Sequence, residues 1–325
     1  MQTQKHKIDF GWGNPYFLLD VLSNLYNPVN VVSIKELIYG PYEGSAKLIE
    51  QTRQVIKETT GNSYDHVLIV NGASSGLNLL LRKFKKDGGA IVRTSQYGYP
   101  SYEDMIKRAG LERKRSLNIG ELTPELQLPQ GLTMSLIDSP ENPTGEQFTG
   151  GNSFTDIWDA VYHNKIYTDK LSLQPRHKYF IGSYSKLLGV AGTRVGYIAT
   201  NDHLAYLSLL DQSHNESCGV SKPSQNLISN ILKNINLDVF MSKGNTSLCY
   251  NKEEFSKLEY LFDGQPVNES GMFYSPKASK KAIELLDSCG VGYVKLDEET
   301  IRLSLGQTNK ITKEGIQYIL RRDNK

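Results

Sequence analysis

The stretch Gly182-Ser183-Tyr184-Ser185-Lys186-Leu187-Leu188-Gly189-Val190-Ala191-Gly192-Thr193-Arg194-Val195-Gly196-Tyr197 decides how the rest of the chain is read. It follows the β-rich run Lys178–Ile181 and leads into another, Val195–Ala199. Between them a lysine is flanked by small hydroxyl residues and followed, eight positions on, by an arginine. A lysine amine serves as nucleophile and proton carrier when apolar walls or neighbouring cations depress its pKa. Ser183, Ser185 and Arg194 offer hydroxyls and a guanidinium to a phosphate. Taken alone, the segment reads equally well as a loop lysine beside a glycine-rich turn.

Outward from this stretch, short β-rich runs alternate with amphipathic helical ones. Strands are expected at His66–Asn71, Gly89–Arg93, Met134–Asp138 and Lys165–Thr168, besides the two already named; helices are expected at Ala46–Thr59, Ser75–Lys86, Pro100–Ala109 and Asp202–Ser213. Such alternation predicts an α/β fold with a mostly parallel sheet, whose ligands gather at the carboxyl ends of the strands. After about residue 235 the pattern becomes helix, strand, helix, strand, with Met272–Ser275, Lys280–Cys289, Gly292–Lys295 and Thr300–Ser304 as its parts. The expected division is an N-terminal segment (1–30) packing on the smaller part, a large α/β domain (31–235) and a small α+β domain (236–325). The helical stretch Ser221–Asn234 is the bridge.

Other segments carry chemistry of their own. Ser139-Pro140-Glu141-Asn142-Pro143-Thr144-Gly145 is a turn that holds an amide side chain at the end of the run MSLID. Asp159-Ala160-Val161-Tyr162 sets a carboxylate three residues before a phenol. Val70-Asn71-Gly72-Ala73-Ser74-Ser75-Gly76 follows a strand and opens a helix, where backbone amides form a natural phosphate site. It also satisfies G-x-S-x-G, the hydrolase nucleophile elbow, which needs a histidine late in the domain; the last histidine here is His214. Tyr97-Gly98-Tyr99-Pro100-Ser101-Tyr102 supplies rings for stacking, and Tyr39-Gly40-Pro41-Tyr42-Glu43-Gly44 is a tyrosine-bearing turn. Arg302, in Thr300–Gly306, stands alone in an apolar strand pattern, where an unpaired charge is costly and a structural ion pair is the plain alternative.

In this order, from Gly13-Asn14-Pro15 to Arg302, the segments resemble the fold-type I pyridoxal 5'-phosphate (PLP) enzymes, specifically the class I/II group of aspartate and histidinol-phosphate aminotransferases. The resemblance implies that Lys186 carries PLP as a Schiff base. It implies Asn142 and Tyr162 at the cofactor's phenolic oxygen and Asp159 at its pyridine nitrogen. Tyr99 stacks on the ring, with Tyr97 as the competing choice. Ala73, Ser74 and Ser75, with Ser183, Ser185 and Arg194, surround the phosphate. Arg302 grips the substrate carboxylate, with Asn142 and Asn14 beside it. Tyr39 reaches the partner subunit's phosphate across a homodimer. Lys186, Asp159 and Tyr162 are then the catalytic set of an aminotransferase that exchanges an amino acid and a keto acid in a ping-pong cycle.

The pattern departs from the family where Asn142 and Asp159 stand only 17 positions apart, with Thr149–Ser153 filling part of the gap and a helix shortened or lost. The chain is also short for the family. The closest rival reading keeps PLP and changes the reaction to decarboxylation, elimination or oxidation; Arg302 favours breaking C–H by holding the carboxylate. A non-catalytic regulator would add a DNA-binding domain, for which no length is spare. A net charge of +2 gives no argument for nucleic acid or an anionic membrane. No stretch approaches the roughly 18 apolar residues of a membrane span. Three widely spaced cysteines suggest neither a disulfide framework nor a metal site, so the cytoplasm is the expected compartment. Nothing in the sequence identifies the amino donor.

Overall fold

The computed structural model describes residues 8–11, 13–26, 37–117, 132–147, 154–172 and 174–323. Its elements run β1 (Ile8–Asp9), α1 (Tyr16–Leu25), α2 (Ala46–Thr60), β2 (His66–Val70), α3 (Ala73–Lys86), β3 (Ile91–Ser95), α4 (Tyr102–Arg108), β4 (Glu112–Leu117), β5 (Thr133–Asp138) and β6 (Phe154–Asp159). There follow β7 (Arg176–Ser183), α5 (Tyr184–Leu187), β8 (Gly196–Thr200), α6 (His203–Ser217), α7 (Lys222–Asn234), α8 (Leu237–Ser256), β9 (Phe273–Tyr274) and α9 (Lys280–Ser288). The last are β10 (Val291–Gly292), β11 (Val294–Lys295), β12 (Ile301–Ser304) and α10 (Asn309–Asp323).

A seven-stranded sheet in the order β2-β8-β7-β6-β5-β3-β4 forms the centre. All neighbours are parallel except β8, which runs against both β2 and β7. Successive side chains of a strand point to opposite faces, and the sequence uses both. Val67, Ile69, Trp158, Phe180 and Ala199 enter one core; Leu68, Val70, Ile157, Ile181 and Ile198 enter another, closed by Leu77 and Leu80 of α3, Ile106 of α4 and Leu209 of α6. Apolar residues on both faces are the mark of a parallel sheet covered by helices. The fold is thus the α/β one expected, with helices on both faces of the sheet.

Local signals set the helix ends. Ser45 caps α2 by accepting the Leu48 amide at 3.3 Å, and Gly61 ends it in the left-handed region; a serine cap of this kind contributes about 1 kcal/mol. Ser221 caps α7, and a proline follows within its first turn.

Beyond α7 a three-stranded antiparallel sheet, β11-β12-β9, packs beside helices α8, α9 and α10, and β1 pairs in parallel with β10. Leu18 of α1 lies against Gly244 of α8 so closely that a Cβ there would come within 2.7 Å of it. No helix among the described residues is long and apolar enough to cross a membrane.

Three local expectations need correction. Lys165–Thr168 is a turn, not a strand: its Ile166 and Tyr167 are buried, and the Asn164 side chain bends the chain by accepting the Ile166 amide. A buried turn and a buried strand share one apolar signature. The strand that does stand between β5 and β7 is β6, where Asp156 accepts both the amide and the hydroxyl of Ser135. β4 (ERKRSL) was not expected either; it is an edge strand, charged as edges usually are. Between Asn142 and Gln147 the described chain is turn and loop; the Thr149–Ser153 stretch lies outside the described residues.

Candidate active site

Parallel strands deliver their carboxyl ends to one edge of the sheet, and the loops leaving β2, β3, β5, β6 and β7 meet there. Because β8 runs the other way, it brings its start to the same edge, and with it Arg194. The loops enclose a cavity of about 630 Å³. Ala73, Ser74, Tyr99, Asn142, Asp159 and Tyr162 line it, as do Ser183, Ser185, Lys186, Arg194, Arg302 and Asn14. Ser75 and Tyr39, also expected at the site, do not line it. Ser75 turns its amide to the Gly72 carbonyl at 3.1 Å. Tyr39 is 81 % exposed and lies at a separate hollow of about 690 Å³ with Leu37, Ile38 and the segment 217–223.

One end of the cavity is built for an anion. The amino end of the 14-residue helix α3 opens there, capped by Gly72 at φ +77°. Arg194, itself left-handed at φ 54°, lays its guanidinium against that glycine; a Cβ on Gly72 would stand 2.5 Å from Nη2. Gly196 makes the companion approach, since a Cβ there would meet the Ala73 amide nitrogen at 2.6 Å. Free helix amides and a guanidinium thus converge on one spot. Ser183 Oγ accepts the Ser185 amide at 3.2 Å, and the buried Ser185 hydroxyl has no partner among the described residues.

Lys186 stands between this end and Arg302. Its Nζ donates to the Gly13 carbonyl, and its own carbonyl accepts the Tyr167 hydroxyl at 2.8 Å. Burial, then the charges of Arg302 and Arg194, bring the amine down to about 8. Asp159 accepts the Tyr102 hydroxyl at 2.9 Å and the Val161 amide at 3.3 Å. Burial lifts its carboxyl to about 6, against the pull of those two bonds. Tyr162 is buried edge-on to Tyr167 and Phe273, and burial pushes its phenol upward. Tyr99 sets its ring edge-on to Tyr102 at 5.7 Å. Tyr97 lies off the cavity lining and donates its hydroxyl to Asp297 at 2.9 Å.

Arg302 reaches the cavity from β12 and is 7 % exposed. Its Nη1 donates to Asn142 Oδ1 at 3.1 Å, its Nη2 to the Gly11 carbonyl at 3.1 Å, and its carbon sits 4.5 Å over the Phe273 ring. Nε has no partner, and among the described residues no carboxylate pairs with the guanidinium. A buried guanidinium held only by neutral groups calls for an anion. Asn14 gives its side-chain amide to the Tyr16 hydroxyl at 3.0 Å.

Sequence reasoning missed Asp138, which lines the cavity at the end of β5. An acid closing an otherwise apolar strand was its one signal. It also missed Asp9, Phe273 and Tyr293, which enter the lining from the segments paired through β1, β9 and β10.

The residues present suit pyridoxal phosphate. A buried amine of lowered basicity, an anion cradle at a helix end with an unpartnered hydroxyl, a buried carboxylate and an aromatic wall match its aldehyde, phosphate, ring nitrogen and ring. No cluster able to hold a metal ion occurs among the described residues.

Comparison with known proteins agrees with this geometry. Residues 6–319 match the family model described as aminotransferase class I and II. The chain is 25 % identical to a (5-formylfuran-3-yl)methyl phosphate transaminase of Methanocaldococcus jannaschii, over 91 % of this chain and 87 % of that one. It is 29 % identical to an aspartate aminotransferase of Thermotoga maritima, over 52 % of this chain and 53 % of the other. Among solved structures, an aromatic aminotransferase from Pyrococcus horikoshii superposes with a TM-score of 0.77, covering 97 % of this chain and 95 % of its own, at 20 % identity. That last likeness is one of fold.

Proposed function

Because the chain belongs to the class I and II aminotransferases, enzymes of the type I fold that use pyridoxal phosphate, we propose that it moves the amino group of an α-amino acid to a keto acid with Lys186 as its central amine. The observation that carries this reading is the meeting of Lys186, Asp159, Arg194 and Arg302 in one cavity. In it, Lys186 binds the cofactor's aldehyde carbon. Arg194, Ala73, Ser74, Ser183 and Ser185 take its phosphate, Asp159 its ring nitrogen, Asn142 and Tyr162 its phenolic oxygen, and Tyr99 one ring face. The bound cofactor supplies an electron sink for the pair left when a bond to the substrate Cα breaks.

The chain's own residues do the rest. Asp159, ionised above pH about 6, matches a protonated ring nitrogen. Arg302, with Asn142 and Asn14 around it, grips the substrate carboxylate and so favours loss of the Cα proton over loss of CO2. Lys186 Nζ, freed when the substrate amine takes its place and of lowered basicity, accepts that proton. We read residues 31–235 as the cofactor-binding part and 236–325 as the smaller part. The exposed Leu37, Ile38 and Tyr39 support a two-fold homodimer in which Tyr39 serves the partner's phosphate site.

The test is the absorption of the purified protein with added pyridoxal phosphate, beside Lys186→Ala. Wild type is expected to show a band that borohydride fixes covalently, and the variant none. Bleaching by an amino acid, reversed by a keto acid, establishes transamination; CO2 release without reversal rejects it.

A further inference from the structure

Asp138 lines the cavity but has been given no role there. It is the register partner of Asp159 on the neighbouring parallel strand. Two residues earlier, Leu136 and Ile157 share the core under α3 and α4, so strand alternation sends both carboxyls to that face. Asp138 is 3 % exposed and lines the cavity. Its Oδ2 accepts the Asn142 amide at 2.9 Å, while Oδ1 is buried without a partner. Asn142 in turn accepts the Arg302 guanidinium on its side-chain oxygen.

We propose that Asp138 is a positioning residue for the substrate carboxylate, seating the Asn142 backbone so that Asn142 fixes the Arg302 guanidinium. The inference rests on the reading of Arg302 as the carboxylate grip. The turn is held on its far side by Glu141 to Glu146 and Gly145 to Glu141 backbone bonds; on its near side the Asp138 carboxyl is the recorded partner of the Asn142 amide. Without that acceptor a buried N–H is left unpaired and the turn relaxes to find another. The titratable groups that face Asp138 are Glu141 of its own turn, Asp159 of β6, the Tyr102 phenol of α4 and the Tyr162 phenol beyond β6. Burial first, then Glu141 and Asp159, holds its carboxyl well above the usual carboxylate range. Its carboxyl oxygen accepts the Asn142 amide, a bond that the side-chain oxygen of an asparagine can reproduce in the same volume.

The test titrates propionate, a bare carboxylate, into the pyridoxal phosphate-loaded enzyme and follows the cofactor's absorption for wild type, Asp138→Ala, Asp138→Asn and Arg302→Lys. Melting of the cofactor-free proteins is a second readout. Asp138→Ala is expected to weaken propionate about tenfold, the scale of one lost buried hydrogen bond, and the cofactor, which Lys186 and the phosphate cradle also hold, much less. Asp138→Asn is expected to stay near wild type. If Asp138→Ala does not fold, Asp138→Ser, whose shorter side chain withdraws the acceptor, carries the same expectation. Equal weakening in the alanine and asparagine variants overturns the proposal, as does a loss of cofactor affinity that matches the loss of propionate. Weakening in Arg302→Lys without any in Asp138→Ala sinks this proposal alone. No propionate binding by wild type, or none lost in Arg302→Lys, removes the reading of Arg302 and this inference with it.

Discussion

The Lys186 amine donates to the carbonyl of Gly13, so the central amine is tethered by a segment 173 positions earlier in the chain. Capture of pyridoxal phosphate by the cofactor-free protein needs the unprotonated amine, and its rate should rise with pH and level off above about 8. An ordinary lysine would keep accelerating towards its usual value of 10.5. Borohydride trapping followed by peptide mass analysis measures this. A rate still climbing tenfold per unit above pH 9 would contradict the depressed basicity.

Asp159 gives a prediction of opposite sign for stability and function. Its folded carboxyl holds a proton up to about pH 6, the unfolded one only to 3.8. The cofactor-free protein should therefore lose stability as pH rises through that window. Asp159→Asn removes the loss and should stabilise the cofactor-free chain above pH 6 by on the order of 2–3 kcal/mol, while lowering activity by orders of magnitude. Denaturant melts at pH 4 and pH 7 measure the difference between the two proteins, which should shrink at the lower pH.

Gly196→Ala should disturb the anion cradle from behind. The added methyl meets the Ala73 amide nitrogen, which is backbone and cannot swing aside. Overpacking of this sort costs about 1–3 kcal/mol. The variant is expected to melt earlier and to bind inorganic phosphate and pyridoxal phosphate more weakly. An unchanged phosphate affinity would mean that α3 does not hold the anion.

Tyr97 joins the β3–α4 loop to the turn before β12 through Asp297. Asp297 is exposed and Tyr97 half-buried, so this bond at the surface contributes little to folding, about 0.5–1.5 kcal/mol at most. It spans the loop that carries Tyr99 and the turn that leads to Arg302. Tyr97→Phe is expected to leave the melting temperature within a degree or two and to raise KM for the amino donor more than it changes kcat. A large drop in stability with unchanged KM would count against that role.

The site was legible where polar chemistry interrupts an apolar pattern. Arg302 within IRLSL and Lys186 behind KYFIGS are of this kind, because a charge in a buried strand has to be answered by something. The two-faced apolar runs gave the parallel sheet for the same reason. Asp138 escaped because an acid before Ser-Pro also reads as ordinary turn chemistry, and only strand register sets it beside Asp159. β4 escaped because an edge strand has one neighbour and little to bury, so its charged sequence carries no alternation. The Lys165–Thr168 turn was taken for a strand because burial, unlike hydrogen bonding, leaves the same mark in both. Ser75 was expected at the phosphate from its neighbours alone, whereas the helix turns its amide back to Gly72.

The pairing of β1 with β10 has a consequence for how the protein is made. Gly11 accepts a bond from Arg302 across 291 positions, and Asp9, Gly13 and Asn14 wall the same cavity. A ribosome releases the first of these residues early and the last of their partners late. Residues 8–14 are therefore expected to find these partners only once β10 and β12 have been made. The Gly13 tether of the Lys186 amine belongs to the same segment, so competence to hold the cofactor is expected to follow the docking of that segment and not the folding of the sheet alone.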